Sequence, residues 1–346
     1  SIGGAIAGGA RLALARAFDP ETFWDEVRRY GVTVSAYTWT MLRDLVEAPA
    51  DARERHHPVR LFIGSGMPRG LWRRVIDRFA PAGVLEFYAS TEGDAILVNV
   101  SGSKPGSKGR PLPGSADVRI AAYDPERGQL EEGPDGFAIS SPRGERGMLL
   151  ARVRSTALIT SSETPLRGLF EPGDAWLSTG DLFMRDVDGD YWLVAHAHAM
   201  IRTDAGLVAS NPIEDALGDV AAVDLVTAYG VKGAGHDIAV AAVTVRSGHE
   251  LGAEALTEAL SILDLAERPS VVRAVDAIPL TTWYRPLTGP LRAEGIPEAG
   301  AVEAWSLDLE SGEYKPLDAA TRTLLLGEDG AGVEEPSGRA ASLPGR

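Results

Sequence analysis

The chain has 346 residues, 44% hydrophobic and 24% charged, enough to bury the cores of two ordinary domains. Its formal net charge of −15 argues against a nucleic-acid surface, which needs clustered Lys and Arg to displace counterions. The absence of cysteine removes disulfides, zinc–thiolate sites and thiol nucleophiles, and fits a reducing, cytoplasmic setting.

The opening stretch SIGGAIAGGARLALARAF carries Arg11 and Arg16 and has too few uninterrupted apolar positions to span a bilayer. A peripheral membrane contact, which needs no spanning helix, stays open. Beginning at Ser1 in mid-pattern, the chain reads as a fragment of a longer protein. In FDPETFWDEVRRYG, Asp19 is the expected N-cap and Pro20 the first helical residue. Phe23, Trp24, Val27 and Tyr30 then form a buried stripe at helical spacing. The strand VTVSAY, a helix around TWTMLRDLVEA, the strand VRLFIG, the helix RGLWRRVIDRFA and the strand GVLEF follow. This alternation predicts parallel strands covered by helices, with ligands at the strand carboxyl ends, where GSGMP (64–68) and YASTEG (88–93) fall.

From about residue 100 to 194 the pattern changes to a Gly/Pro/Ser loop and short strand-like runs, an expected antiparallel β region. From about 211 a compact α+β unit is expected, with helices at NPIEDAL and AEALTEALSIL and strands at DLVTAYGV, DIAVAAVTV and SVVRAVDAI. The final stretch is rich in Gly, Pro and acidic residues with little to bury.

Seven segments, taken in order, carry a common signature: FDPETFWDEVRRYGVTV, VRLFIGSGMPRGLW, EFYASTEGD, GRPLPG, GERGMLLARV, FEPGDAWLSTGDL and GEYKPLD. Together they resemble the adenylate-forming acyl-CoA synthetase superfamily, and within it the very-long-chain acyl-CoA synthetase and fatty-acid transport protein group. The resemblance implies an α/β fold. Residues 1–194 would be the C-terminal part of a large adenylation domain, a parallel-sheet layer plus a β subdomain. Residues 195–320 would be a small α+β C-terminal domain, and 321–346 a disordered tail.

The chemistry implied is ATP-dependent adenylation of a fatty acid, then thioester formation with coenzyme A, with Mg²⁺ as the metal. By resemblance, Tyr88 would lie on the adenine, Thr91 would donate to the α-phosphate, and Glu92 would hold Mg²⁺, a hard cation that takes oxygen ligands. Gly93 would leave room for the nucleotide. Asp181 would accept both ribose hydroxyls, and Ser65 and Gly66 would line the adenine and acyl pocket with Tyr37 and Trp39 nearby.

Three features depart from the family pattern. Its phosphate-gripping loop would precede residue 1, so this piece is expected to be inactive alone, its partner being the rest of its own parent chain. At the hinge, VAHAHAMIRTDAGLV places Ala195, His196, Ala199 and Asp204–Leu207 where the family has an Asp-Arg pair, a further Asp and a Gly-Gly-Glu-Asn-like loop. The catalytic lysine aligns with Arg285, which keeps the charge but is planar and forked. Two readings stay open: a fatty-acid–CoA ligase lineage that turns over, or a catalytically impaired nucleotide/acyl-binding module, fused in one variant to another catalytic domain. His196 and His198 in AHAHA would share one face of a strand, with His236 as a conceivable third metal ligand, but packing explains alternate histidines better. DVDGD (186–190) is better read as a β-turn at Asp188–Gly189 than as a calcium loop.

Overall fold

The computed structural model describes residues 2–90, 95–153, 164–281 and 285–327. A short helix, α1 (Ile2–Ala7), opens the chain. Next come α2 (Phe23–Tyr30), β1 (Val34–Ala36), α3 (Trp39–Glu47), β2 (Leu61–Gly64), α4 (Arg69–Arg78) and β3 (Gly83–Ala89). The three strands pair in parallel, as the alternation predicts. Beyond β3 the sheet turns antiparallel through β4 (Ile96–Asn99) and β5 (Arg110–Pro111). The connection over residues 90–95 is too short for the crossover that another parallel strand would need.

Trp24, Leu42, Phe62, Trp72, Phe79 and Val84 pack into the core of this layer. α3 starts where expected, with the Thr38 hydroxyl accepting from the Met41 amide. α2 starts at Phe23 rather than Pro20. Thr22 is its cap residue, and Asp19 instead accepts from the Glu21 amide at 2.9 Å, holding the preceding turn. Trp24 and Val27 are buried as predicted, whereas Tyr30 is exposed with Arg29 over its ring.

The second sheet holds β6 (Val118–Ala121), β9 (Arg146–Arg152), β10 (Leu166–Arg167), β11 (Ala175–Arg185) and β12 (Tyr191–His196), flanked by a small ribbon of β7 (Tyr123–Asp124) and β8 (Gln129–Leu130). Its order is β10-β11-β9-β6, with β12 also on β11, and every pair is antiparallel. DVDGD forms a turn with Gly189 at φ +93°. The Lys104 ammonium reaches Asp186, Asp188 and Asp190 at 2.7, 2.6 and 2.9 Å, so a side-chain cation stands among the three carboxylates.

A ribbon of β13 (Ile201–Thr203) and β14 (Gly206–Val208) leads into α5 (Ser210–Gly218). The third sheet has the order β15 (Val223–Lys232), β16 (Asp237–Val245), β17 (Val271–Ala274), β18 (Ala304–Leu307) and β19 (Tyr314–Pro316). Here β16 and β17 are parallel and the other pairs antiparallel. α6 (Ala253–Leu260), α7 (Thr288–Glu294) and α8 (Ala319–Leu326) complete this α+β unit. α8 runs into the stretch expected to be tail. Asp318 caps it by accepting from the Thr321 amide at 2.7 Å, and Leu325 and Leu326 pack on the third sheet. Residues 328–346 lie outside the described residues.

α4 and α5 meet at two glycines. A Cβ on Gly70 would fall 1.7 Å from the Gly218 carbonyl oxygen, so the backbones touch there. Beside that crossing Arg73 and Arg69 pair with Asp219 at 2.7 and 3.3 Å.

Candidate functional site

The STGD segment lies inside β11, where each of its residues has a local task. Pairing of β11 with β9 is interrupted between Ser178 and Leu182, and Gly180 sits at φ +73°, a conformation that favours glycine. The Thr179 hydroxyl donates to the Leu149 carbonyl at 2.9 Å and accepts from the Asp181 amide at 3.2 Å. The bulge thereby re-aims Asp181, whose side chain reaches β3. Asp181 is 7% exposed.

Tyr88 is part of β3, paired with Leu97, rather than following the strand. Its hydroxyl donates to Asp181 Oδ2 at 2.5 Å, and its ring stands edge-on to Phe183, centroids 4.9 Å apart. The other Asp181 oxygen, Oδ1, is held by His196 Nδ1. The Asp181 contact, chiefly its hydrogen bond, pushes the His196 pKa above the ordinary histidine value; burial and Arg285 work against it and Glu214 with it. His196 ends β12, and a turn of 3₁₀ helix over Ala197–Ala199 follows. The two histidines of AHAHA are therefore not alternate residues of one strand; their rings stack at 5.8 Å. Among the described residues no group of three potential metal ligands occurs.

Two residues before Tyr88, on the same face of β3, lies Glu86. It is fully buried and was missed by the sequence reading. The Tyr37 hydroxyl donates to it at 2.5 Å, the Gly66 amide at 2.6 Å and Lys108 Nζ at 2.8 Å; the Met67 amide is at 3.3 Å. Burial, reinforced by the Glu86 charge, drives the Tyr37 hydroxyl far above the usual phenol range. Glu86 thus ties together the segments following β1 and β2 and the loop ahead of β5. The same loop is pinned from behind, since the Lys108 amide donates to the Tyr191 carbonyl at 2.8 Å. The sequence signal was a carboxylate inside the apolar run GVLEF.

The structure brings Tyr88 and Asp181 together and adds His196. Ser65 and Gly66 are exposed at the end of β2, above Glu86. Arg285 is exposed; its amide donates to the Thr281 hydroxyl at 3.0 Å, and its charge acts on His196. Thr91, Glu92 and Gly93 lie outside the described residues, so the Mg²⁺ assignment to Glu92 stays an expectation.

The family model described as AMP-binding enzyme matches residues 1–157. Long-chain fatty acid transport protein 2 of Rattus norvegicus is 30% identical over 307 residues, 85% of this chain and 49% of the relative. Medium/long-chain-fatty-acid–CoA ligase FadD6 of Mycobacterium tuberculosis is 30% identical over 295 residues, 82% of this chain and 49% of that protein. The chain thus spans about half the length of the curated relatives it matches. Among solved structures, ATP-bound MatB from Rhodopseudomonas palustris superposes with a TM-score of 0.65 at 22% identity, over 84% of this chain and 56% of that one. That likeness speaks to the fold, the mixed α/β fold of adenylate-forming ligases. Among the described residues no helix is long and apolar enough to cross a membrane.

Proposed function

We propose, for a chain whose residues 1–157 match the AMP-binding enzyme family, that it supplies the ribose-holding side of a nucleotide site in a protein that activates a fatty acid with ATP. The observation that carries this reading is the meeting of Tyr88 and Asp181. They come from different sheets and 93 residues apart, yet contact at 2.5 Å beside the exposed end of β2. A buried carboxylate can take both ribose hydroxyls because it only accepts hydrogen bonds, and the tyrosine ring offers an apolar flank for the base. In this reading Mg²⁺ and coenzyme A serve the same reaction, Glu92 being the metal ligand and Thr91 an α-phosphate donor. Residues 1–194 and 195–320 then act as the two lobes, and these 346 residues do not turn over by themselves.

Arg285, in the C-terminal unit, is near enough for its charge to act on His196, which touches Asp181, and this supports a cationic role there. A forked guanidinium stabilises phosphate charge but does not fit where a single ammonium is required. This favours a second reading, a nucleotide- and acyl-binding module with little turnover.

The test is fatty-acid-dependent ATP–pyrophosphate exchange by the full-length protein, beside its Asp181→Asn and Arg285→Lys variants. The ligase reading expects exchange in the parent and at least a tenfold loss in Asp181→Asn, the scale of about 1.4 kcal/mol of lost binding. Silence in the parent with activity restored by Arg285→Lys supports the impaired module on an intact scaffold. Silence in both sinks the ligase reading.

A further inference from the structure

Both oxygens of Asp181 already have donors within the chain: Tyr88 on Oδ2 and His196 on Oδ1. Asp181 is fixed on a buried β-bulge, and the Tyr88 side chain is held between the Asp181 carboxylate and the Phe183 ring. His196 is the movable partner. Its backbone pairs with Asp181 at the end of β12, but its side chain is 44% exposed and, among the described residues, its ring stacks on His198 of the turn that follows.

We infer, resting on the nucleotide reading above, that His196 is a proton-controlled plug on Asp181. Its imidazolium competes with ribose hydroxyls for the carboxylate. A carboxylate has about four acceptor directions, but Asp181 is nearly buried, so two hydroxyl donors must enter where the imidazole now sits. A charged imidazolium holds the carboxylate more strongly than a neutral ring, because its hydrogen bond is assisted by both charges. Entry of the ribose therefore requires His196 to move away, and this is easier when the ring is neutral.

The groups facing His196 set the direction of the effect. Asp181 on β11 favours the protonated ring, as does Glu214 on α5, while Arg285 ahead of α7 disfavours it. Tyr88 on β3 is neutral and bound to the same carboxylate, and His198 stacks on the ring. With Asp181 dominant, the ring stays protonated to higher pH than an ordinary histidine. Ribose binding then releases a proton. Apparent affinity rises with pH, by at most about tenfold per unit below the His196 pKa, and levels off above it. His196 is thus a positioning residue: it acts on the nucleotide through Asp181.

The experiment is calorimetric titration of the full-length protein with adenosine, which carries the ribose hydroxyls and no titrating phosphate, over about pH 5.5 to 8. The unmodified protein should bind adenosine more tightly as pH rises, with proton release that depends on buffer ionisation heat. His196→Ala and His196→Gln should bind at low pH as tightly as the unmodified protein does at high pH, without the slope. 2′,3′-Dideoxyadenosine, which has no hydroxyls to compete, should show no slope in any of them. Adenosine binding that is flat with pH, or falls as pH rises, or keeps its slope in both variants, overturns the plug and leaves the nucleotide site standing. No adenosine binding at any pH in any of the proteins overturns the nucleotide reading and the plug with it.

Discussion

Replacing Lys108 by Met would remove the side-chain cation that pairs with Glu86 while keeping most of the apolar stem. Glu86 is fully buried, and Lys108 keeps only 13% side-chain exposure, so the carboxylate would lose its counter-charge where water cannot fully substitute. Breaking a buried pair from one side costs about 3–5 kcal/mol. Tyr37 and the Gly66 and Met67 amides still donate to the carboxylate, so we expect a cost just below that range, about 2–3 kcal/mol. The local readout is hydrogen exchange of the Gly66 and Met67 amides in the full-length protein, since both are tied to Glu86. At about 1.4 kcal/mol per decade, exchange should quicken roughly 30- to 150-fold in Lys108→Met. Lys108→Met combined with Glu86→Gln should recover at least half of the loss, because no charge is then left unpaired. Exchange in Lys108→Met within about threefold of the unmodified protein, or a double variant no better than the single, would refute the reasoning.

Two further outcomes follow from the packing and the pKa shifts. Gly70→Ala should part α4 from α5, since the new methyl would lie 1.7 Å from the Gly218 carbonyl. Overpacking of this kind costs about 1–3 kcal/mol or more, and limited proteolysis between residues 197 and 206 should quicken; an unchanged digest would contradict the contact. Asp174→Asn should weaken the second sheet and flatten its acid limb. Burial alone would raise the Asp174 pKa, but donation from Trp176 Nε1 at 2.7 Å and from the Phe170, Leu169 and Glu171 amides outweighs it and the pKa is lowered. Its stabilisation is therefore complete above the unfolded aspartate value near pH ~4 and is lost as pH falls through the lower folded value. Acid unfolding followed by tryptophan fluorescence checks this; an identical acid limb in Asp174→Asn would count against it.

Much of this protein is decided by its sequence alone. The helical stripe of α4, the Thr38 cap of α3 and the antiparallel runs after residue 100 follow from spacing and local hydrogen bonding, which act over a few residues. The sequence also singles out Tyr88 and Asp181, which the structure joins by a hydrogen bond. Local rules stopped short at α2, where Thr22 rather than Asp19 takes the cap position, and at AHAHA, where the strand ends two residues too soon for two histidines to share its face. What only the tertiary structure decided is long-range. Glu86 looks like an error in an apolar strand until Tyr37, Gly66 and Lys108 are brought around it from three other segments. His196 looks like an ordinary packing histidine until the β11 bulge turns Asp181 toward it. A buried charge is tolerated only when its donors are in place, and chain segments far apart in sequence meet those donors only once the sheets have formed.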